Sequence, residues 1–239
     1  MKLSTNFKSI SKLLLAATLL SAVMISCSKS DDDYVAPDIS GLNVIHASPT
    51  AEKLDFYIGA ARVNDGYTIP SDFGFGNKFG YLNAYSGTRQ VSITKKGVST
   101  PLITENIKLD VQVGYSLFII DKLETVKFLL LKDDLTVPPA GKARIRFVNL
   151  SPDAPALNLA VGSATDLFTN KAFKEFSAFE TIDAGNSLTF NVKNTSGGLE
   201  TKIENVNIES GKIYTVWVKG LKANTDDYKL GVAVFTHGQ

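Results

Sequence analysis

Few side chains in this sequence have the chemistry to act on a substrate: two histidines, His46 and His237, the acid doublets Asp133-Asp134 and Asp226-Asp227, and one cysteine, Cys27. Two imidazoles and one thiol fall short of a zinc site, and neither H-E-x-x-H, C-x-x-C nor G-x-S-x-G occurs. The doublets could supply a glycosidase pair, which needs two carboxyl groups about 5 to 10 Å apart across a cleft. Both stand among turn residues, however, where solvated acids are the rule. His237 stands almost at the C-terminus, where chains fray. No catalytic residue, metal site or cofactor is expected, and the chain is read as non-enzymatic.

The most unusual local composition lies between Tyr67 and Tyr85, where Phe73, Phe75, Phe79 and Tyr81 stand among Gly74, Gly76 and Gly80. Flat rings on a glycine-rich loop can stack on a sugar or an apolar ligand, so Tyr67, Phe73, Phe75 and Tyr81 are candidate ligand-binding residues. The alternative is that Phe79, Tyr81 and Tyr85 alternate along a strand into a core while Phe73 and Phe75 plug its end. Gly74-Phe75-Gly76-Asn77-Lys78-Phe79-Gly80 does not make a dinucleotide loop, because its last glycine comes one place late and no βαβ pattern surrounds it.

Short runs of alternating apolar residues must position these groups. Val44-Ile45-His46, Leu54-Asp55-Phe56, Val91-Ser92-Ile93 and Leu117-Phe118-Ile119 are punctuated by Ser48-Pro49, Asn64-Asp65-Gly66, Lys96-Gly97 and similar turns. That pattern predicts an all-β sandwich or barrel. The plan occurs twice. Leu42 to Pro49 returns as Ile145 to Pro152, and Gly59 returns at the same offset as Gly162. Further on, Asn106 to Ile119 aligns without a gap on Asn205 to Val218, pairing Tyr115 with Tyr214 and Phe118 with Trp217. Aromatics recurring on matched strands read as core or tyrosine-corner residues. A first repeat over residues 38–137, a proline-rich linker over 138–141 and a second repeat over 142–239 are predicted. Comparison of the copies sets His46 against Asn149, Asp55 against Asn158 and Asp153 against Thr50, so none of these acids or bases is shared.

The N-terminus predicts an address. Lys2, Lys8 and Lys12 precede the uncharged run Leu13 to Ile25, which is too short to span a bilayer and fits a secretory leader over residues 1–26. Met24-Ile25-Ser26-Cys27 resembles a bacterial lipobox, with Met24 in place of the usual Leu, and Cys27 is the expected lipidation site. Residues 27–37, with Ser28-Lys29-Ser30-Asp31-Asp32-Asp33, read as an acidic solvated tether similar to the signal that sends some lipoproteins to the outer face of the outer membrane. The protein is therefore expected in the cell envelope, at the outer membrane and surface-exposed. The near-neutral chain lacks a basic block, so no nucleic-acid partner is expected.

Ala143-Arg144-Ile145-Arg146-Phe147-Val148-Asn149-Leu150-Ser151-Pro152-Asp153-Ala154-Pro155, with Leu157 to Gly162 and Gly211 to Val216, resembles the bacterial DUF4397 domain. The first repeat departs from it in having Thr50-Ala51-Glu52 for Asp153-Ala154-Pro155. The resemblance implies two tandem Ig-like antiparallel β-sandwiches on an envelope protein and supplies no activity. A lipid-anchored structural or adhesion-type interaction module is the function expected. The alternative is a carbohydrate-binding accessory lipoprotein that uses the aromatic-glycine region. Expected partners are the membrane, through the lipid, and a glycan or envelope protein.

Overall fold

The structure, a computed structural model, describes residues 37–66, 69 and 71–238. Asp38–Gln239 form one compact unit. Cys27 and Tyr67 lie outside the described residues.

Alternation of apolar residues over five to ten positions, cut by glycine turns, leaves no helical period, and the described residues contain no α-helix. The first sandwich is built from β1 (Ile39–His46), β2 (Leu54–Ile58), β3 (Ala61–Arg62), β4 (Lys78–Tyr85), β5 (Gly87–Lys95), β6 (Pro101–Leu109), β7 (Gly114–Ile120) and β8 (Lys127–Asp133). The second runs through β9 (Lys142–Asn149), β10 (Leu157–Val161), β11 (Asp166–Lys171), β12 (Glu180–Asp183), β13 (Gly185–Asn194), β14 (Leu199–Ile208), β15 (Ile213–Lys219) and β16 (Gly231–Thr236). Each pairs a sheet of order β4-β1-β7-β8 or β12-β9-β15-β16 with one of order β3-β2-β5-β6 or β11-β10-β13-β14. The second sandwich thus repeats the strand order of the first, and the all-β, two-sandwich expectation holds. In each, the opening strand is central and parallel to the seventh, with Val44 opposite Leu117 and Phe147 opposite Val216.

Inward residues fill one core per sandwich. Leu42, Val44, Leu54, Phe56, Val91, Ile93, Leu117 and Ile119 form the first, and Ile145, Phe147, Leu157, Leu159, Phe190, Val192, Val216 and Val218 the second. A third cluster comes from the opposite faces of the same central sheets. Ile45, Phe118, Ile120 and Leu131 pack on Val148, Trp217 and Phe235, so the two sandwiches share a seam. These sheets are buried on both faces, which is why Leu117-Phe118-Ile119-Ile120 reads as a continuous apolar run. Phe118 and Trp217 therefore fill the seam between the sandwiches, with ring centroids 6.2 Å apart.

The two recurrent tyrosines make equivalent corners. Tyr115 Oη accepts from Asp110 N at 3.3 Å and donates to its carboxylate at 3.0 Å. Tyr214 Oη accepts from Glu209 N at 3.0 Å. Tyr214→Phe is expected to lower stability by about 1 kcal/mol, the usual net worth of one hydrogen bond, as read by urea unfolding. A loss below the error of the fit would mean the corner has no energetic role.

Candidate functional site

Continuing the alternation of β8 and β16 past their apolar residues locates the charged site. Leu129, Leu131 and Asp133 share the seam face of β8, and Ala233, Phe235 and His237 share that of β16. The acid and the base occupy equivalent places: Asp133 pairs with Gly114 at the start of β7, while His237 N donates to Ile213 O at the start of β15. Both are buried. This corrects two expectations at once. Asp133 is not a solvated turn acid, and His237 is not on a frayed end, because the ladder of β16 and the seam enclose it.

Around them closes a ring of hydrogen bonds. Arg146 Nη2, from β9, lies 2.8 Å from Asp133 Oδ1 and donates to Thr215 Oγ1 at 3.1 Å. Thr215 stands 2.7 Å from His237 Nε2, and His237 Nδ1 stands 2.7 Å from Tyr81 Oη. Tyr81 donates to Asp133 Oδ2 at 2.6 Å, and Ser116 Oγ donates to the same carboxylate at 2.9 Å. Because Tyr81 spends its proton on Asp133, it must accept from His237 Nδ1–H, and Nε2 then accepts from Thr215. Burial lowers the His237 pKa to about 4, against the opposing pull of Asp133, so the imidazole is neutral at pH 7. Burial also pushes the Tyr81 phenol up, with Asp133 adding to the effect. Arg146 Nη1 donates to Lys132 O at 3.2 Å, Nε has no acceptor, and the ring of Phe179 stands 4.7 Å from Cζ. Each sandwich contributes half of this ring: Tyr81, Ser116 and Asp133 from the first, and Arg146, Thr215 and His237 from the second.

Among the described residues, Phe73, Phe75 and Tyr81 do not assemble the candidate ligand platform. Phe73 is 2% exposed, in the first core, with its ring 4.1 Å from Phe79 and edge-on to His46. Phe75 is half-buried under the second sandwich. Lys219 Nζ stands 5.0 Å over its ring and Tyr228 lies 5.6 Å away. Burial lowers the Lys219 pKa. Tyr81 leaves the core face because the register of β1 with β4 shifts between Asn43 and Ile45. Gly80 at φ +80° takes up that bulge and donates to Asn43 Oδ1 at 3.1 Å. So Phe79 packs inward and Tyr81 outward onto His237. Phe73 thus fills the first core, while Phe75 and Tyr81 hold the other sandwich.

Of the positions compared between copies, most are hydrogen-bonding residues at strand ends. Asp55 accepts from Gly97 N at 2.9 Å, Asn149 Nδ2 donates to Lys171 O at 2.9 Å, and Asp153 accepts from Lys222 N at 2.7 Å. His46 differs. It is fully buried, both ring nitrogens lack a partner, and burial lowers its pKa to about 4, with Lys53 adding to the effect. Among the described residues no group of His, Cys, Asp and Glu could hold a metal ion.

Beside the ring opens a cleft of about 470 Å³, lined by Asp134, Leu135, Arg144, Arg146, Phe176 and Phe179 among others. Arg144 Nη2 lies 2.7 Å from Asp134 Oδ2, its Cζ stands 5.7 Å over the Phe179 ring, and hydrogen bonding to Arg144 holds the Asp134 carboxyl well below the usual range. Phe176 is 48% exposed although its backbone is bridged to Val148 and its neighbour Ser177 is tied to Phe147 N through Oγ at 2.9 Å. An apolar ring thus stands half in solvent on a held backbone, in the same cleft as a charged pair.

Against known proteins, the family described as "Domain of unknown function (DUF4397)" matches residues 40–160, the first sandwich and the opening two strands of the second. No curated protein matches the chain. Among solved structures, a family 26 carbohydrate-binding module of Eubacterium rectale Amy13K, in complex with maltoheptaose, is 10% identical, with 83% of this chain and 98% of that chain covered at a TM-score of 0.27. Family 41 carbohydrate-binding modules from streptococcal virulence factors, described as recognising alpha-glucan, are 14% identical, with 80% and 96% covered at a TM-score of 0.26. Likenesses this distant carry no argument about what the chain binds.

Proposed function

The chain belongs to the DUF4397 family, and from that premise we propose that it is a non-catalytic interaction module of the cell envelope, with its second sandwich a second copy of the family domain. The observation that carries this reading is the seam ring. The acid, base and hydroxyl groups that could have formed an active site come together in the seam, Asp133, His237, Thr215 and Ser116 buried and Tyr81 half-buried, and spend their donors and acceptors on one another and on Arg146. Such a ring joins two sandwiches into one body, which suits a protein that presents a surface. The leader, Cys27 and the acidic tether place that body, in this reading, on the outer membrane by a lipid anchor, facing outward.

Cys27→Ala is expected to abolish labelling by a radiolabelled fatty acid and to move the protein out of the membrane fraction. Protease added to intact cells should degrade the wild type if it faces outward. Retention of label and membrane association in the variant would refute the anchor.

A carbohydrate-binding accessory lipoprotein is the second reading. What favours it is the exposed Phe176 ring in the cleft that the Arg144–Asp134 pair also lines, not the aromatic-glycine stretch, whose described rings Phe73, Phe75 and Tyr81 are spent on the core and the seam.

A further inference from the structure

We propose that the cleft between residues 134–135, β9 and the segment leading into β12 is a binding site for neutral carbohydrate, with one sugar ring stacked on Phe176 and adjacent hydroxyls held by Arg144 and Asp134. This rests on the carbohydrate-binding reading above and assigns its site. A sugar presents an apolar face of C–H groups and a rim of hydroxyls, each a donor and an acceptor. Recognition therefore needs a fixed, exposed aromatic face with a donor and an acceptor side by side at its edge. Phe176 supplies the face: it is 48% exposed, and its backbone is held by the bridge to Val148 and by Ser177. Arg144 and Asp134, which line the same cleft, supply the donor and the acceptor. They lie 2.7 Å apart, with side-chain exposures of 17% and 50%, so the guanidinium is pre-positioned and the carboxylate is open. Arg144 uses Nη2 on Asp134 and Nη1 on Thr136 O at 3.4 Å, which leaves further N–H groups of its five for a ligand. The cleft volume, about 470 Å³, falls within the range of small-ligand sites, roughly 300–1,000 Å³.

The charges select against an acidic ligand. The two guanidiniums of the cleft are matched by Asp133 and Asp134, and Lys132, the third cation of its lining, lies 4.0 Å from Asp110, so a carboxylate on the sugar would face Asp134 with no unmatched cation between them. The duplication provides an internal comparison. Gly41 occupies on β1 the place of Arg144 on β9, and the groove beside it is lined by Gly41, Tyr81, Asn83 and Gly114 without a charged side chain. One site per chain follows.

The test is calorimetric titration of the full chain, purified in a detergent without a sugar headgroup, with neutral gluco-, manno- and xylo-oligosaccharides and with oligouronates. Saturable binding of at least one neutral oligosaccharide is expected at one site per chain, weakened at least tenfold by Phe176→Ala and by Arg144→Gln. Asp134→Asn, which keeps shape and removes charge, should weaken it less, and Phe75→Ala should leave it unchanged. Circular dichroism on each variant separates loss of binding from loss of fold. Neutral-sugar binding that survives both Phe176→Ala and Arg144→Gln would overturn the cleft and leave the carbohydrate reading standing. Absence of binding to every neutral oligosaccharide would overturn both. Tighter binding of oligouronates would overturn the neutral assignment.

Discussion

An Arg146→Met variant is expected to lose about 3–5 kcal/mol of folding stability, the typical cost of removing one partner of a buried ion pair. Asp133 would keep its bonds from Tyr81 and Ser116, but the counter-charge 2.8 Å away would be gone from a side chain that water does not reach. Thr215 would lose the donor that fixes its orientation toward His237. Because Asp133 belongs to the first sandwich and Arg146 to the second, the loss falls on their coupling. Wild-type unfolding in guanidinium is expected as one cooperative transition and the variant's as two. Asp133→Leu combined with Arg146→Met should recover part of the loss, since two apolar residues leave no unmatched charge in the seam. A single-variant loss under 1 kcal/mol, or a double variant no better than the worse single, would show that the pair does not bind the sandwiches together.

Acid is expected to weaken the fold well above the range where carboxylates titrate. His46 and His237 both have folded pKa values of about 4, set first by burial, against an ordinary value of 6.5. The depressed value means that the unfolded chain takes up protons between these limits while the folded chain does not. Stability from each imidazole is thus complete above pH 6.5, is lost as pH falls from 6.5 toward 4, and then levels off. The shift corresponds to about 3 kcal/mol per histidine, a large share of the roughly 5–15 kcal/mol that typical domains have. Urea midpoints measured from pH 8 to pH 4.5 should be flat down to about 6.5 and fall below it. His46→Asn, which installs the residue found at the equivalent place in the second sandwich, should remove about half of the slope, and a further His237→Gln most of the rest. A flat profile in the wild type, or an undiminished slope in the double variant, would contradict the burial of these rings.

The sheets and their cores could be read from the sequence because each inward position obeys a period of two, and the turns fall at Gly and Asn residues as expected. Tyr115 and Tyr214 could be placed for the same reason. The seam could not, although its trace was present. Leu117 to Ile120 and Val216 to Val218 are apolar on both faces, which a sheet with one wet side would not be. Following the outward positions one step further would have led from Leu131 to Asp133 and from Phe235 to His237. Arg146, two places from Arg144 on the same outward face, completes that pattern. The ring itself depends on how two faces far apart in sequence meet, and no local periodicity encodes that. Tyr81 was misplaced for a local reason, since one bulged residue at Gly80 reverses every side chain beyond it. Phe73 could be read two ways because a ring beside a glycine looks alike on an exposed loop and over a core, and it takes the core alternative.

The equivalence of Asp133 and His237 bears on ancestry. Had a single repeat once associated with its twin through this face, the pairing would have been isologous, and every residue near the axis would have met its own copy. Two carboxylates or two imidazoles would then have stood where Asp133 Oδ2 and His237 Nδ1 now lie 3.7 Å apart. Only after duplication could one member become the acid and the other the base, so that complementarity replaced self-pairing. Joined in one polypeptide, the halves also meet at a high effective concentration without a partner molecule. The divergence has made them non-interchangeable: a chain carrying two first repeats would set acid against acid in the seam.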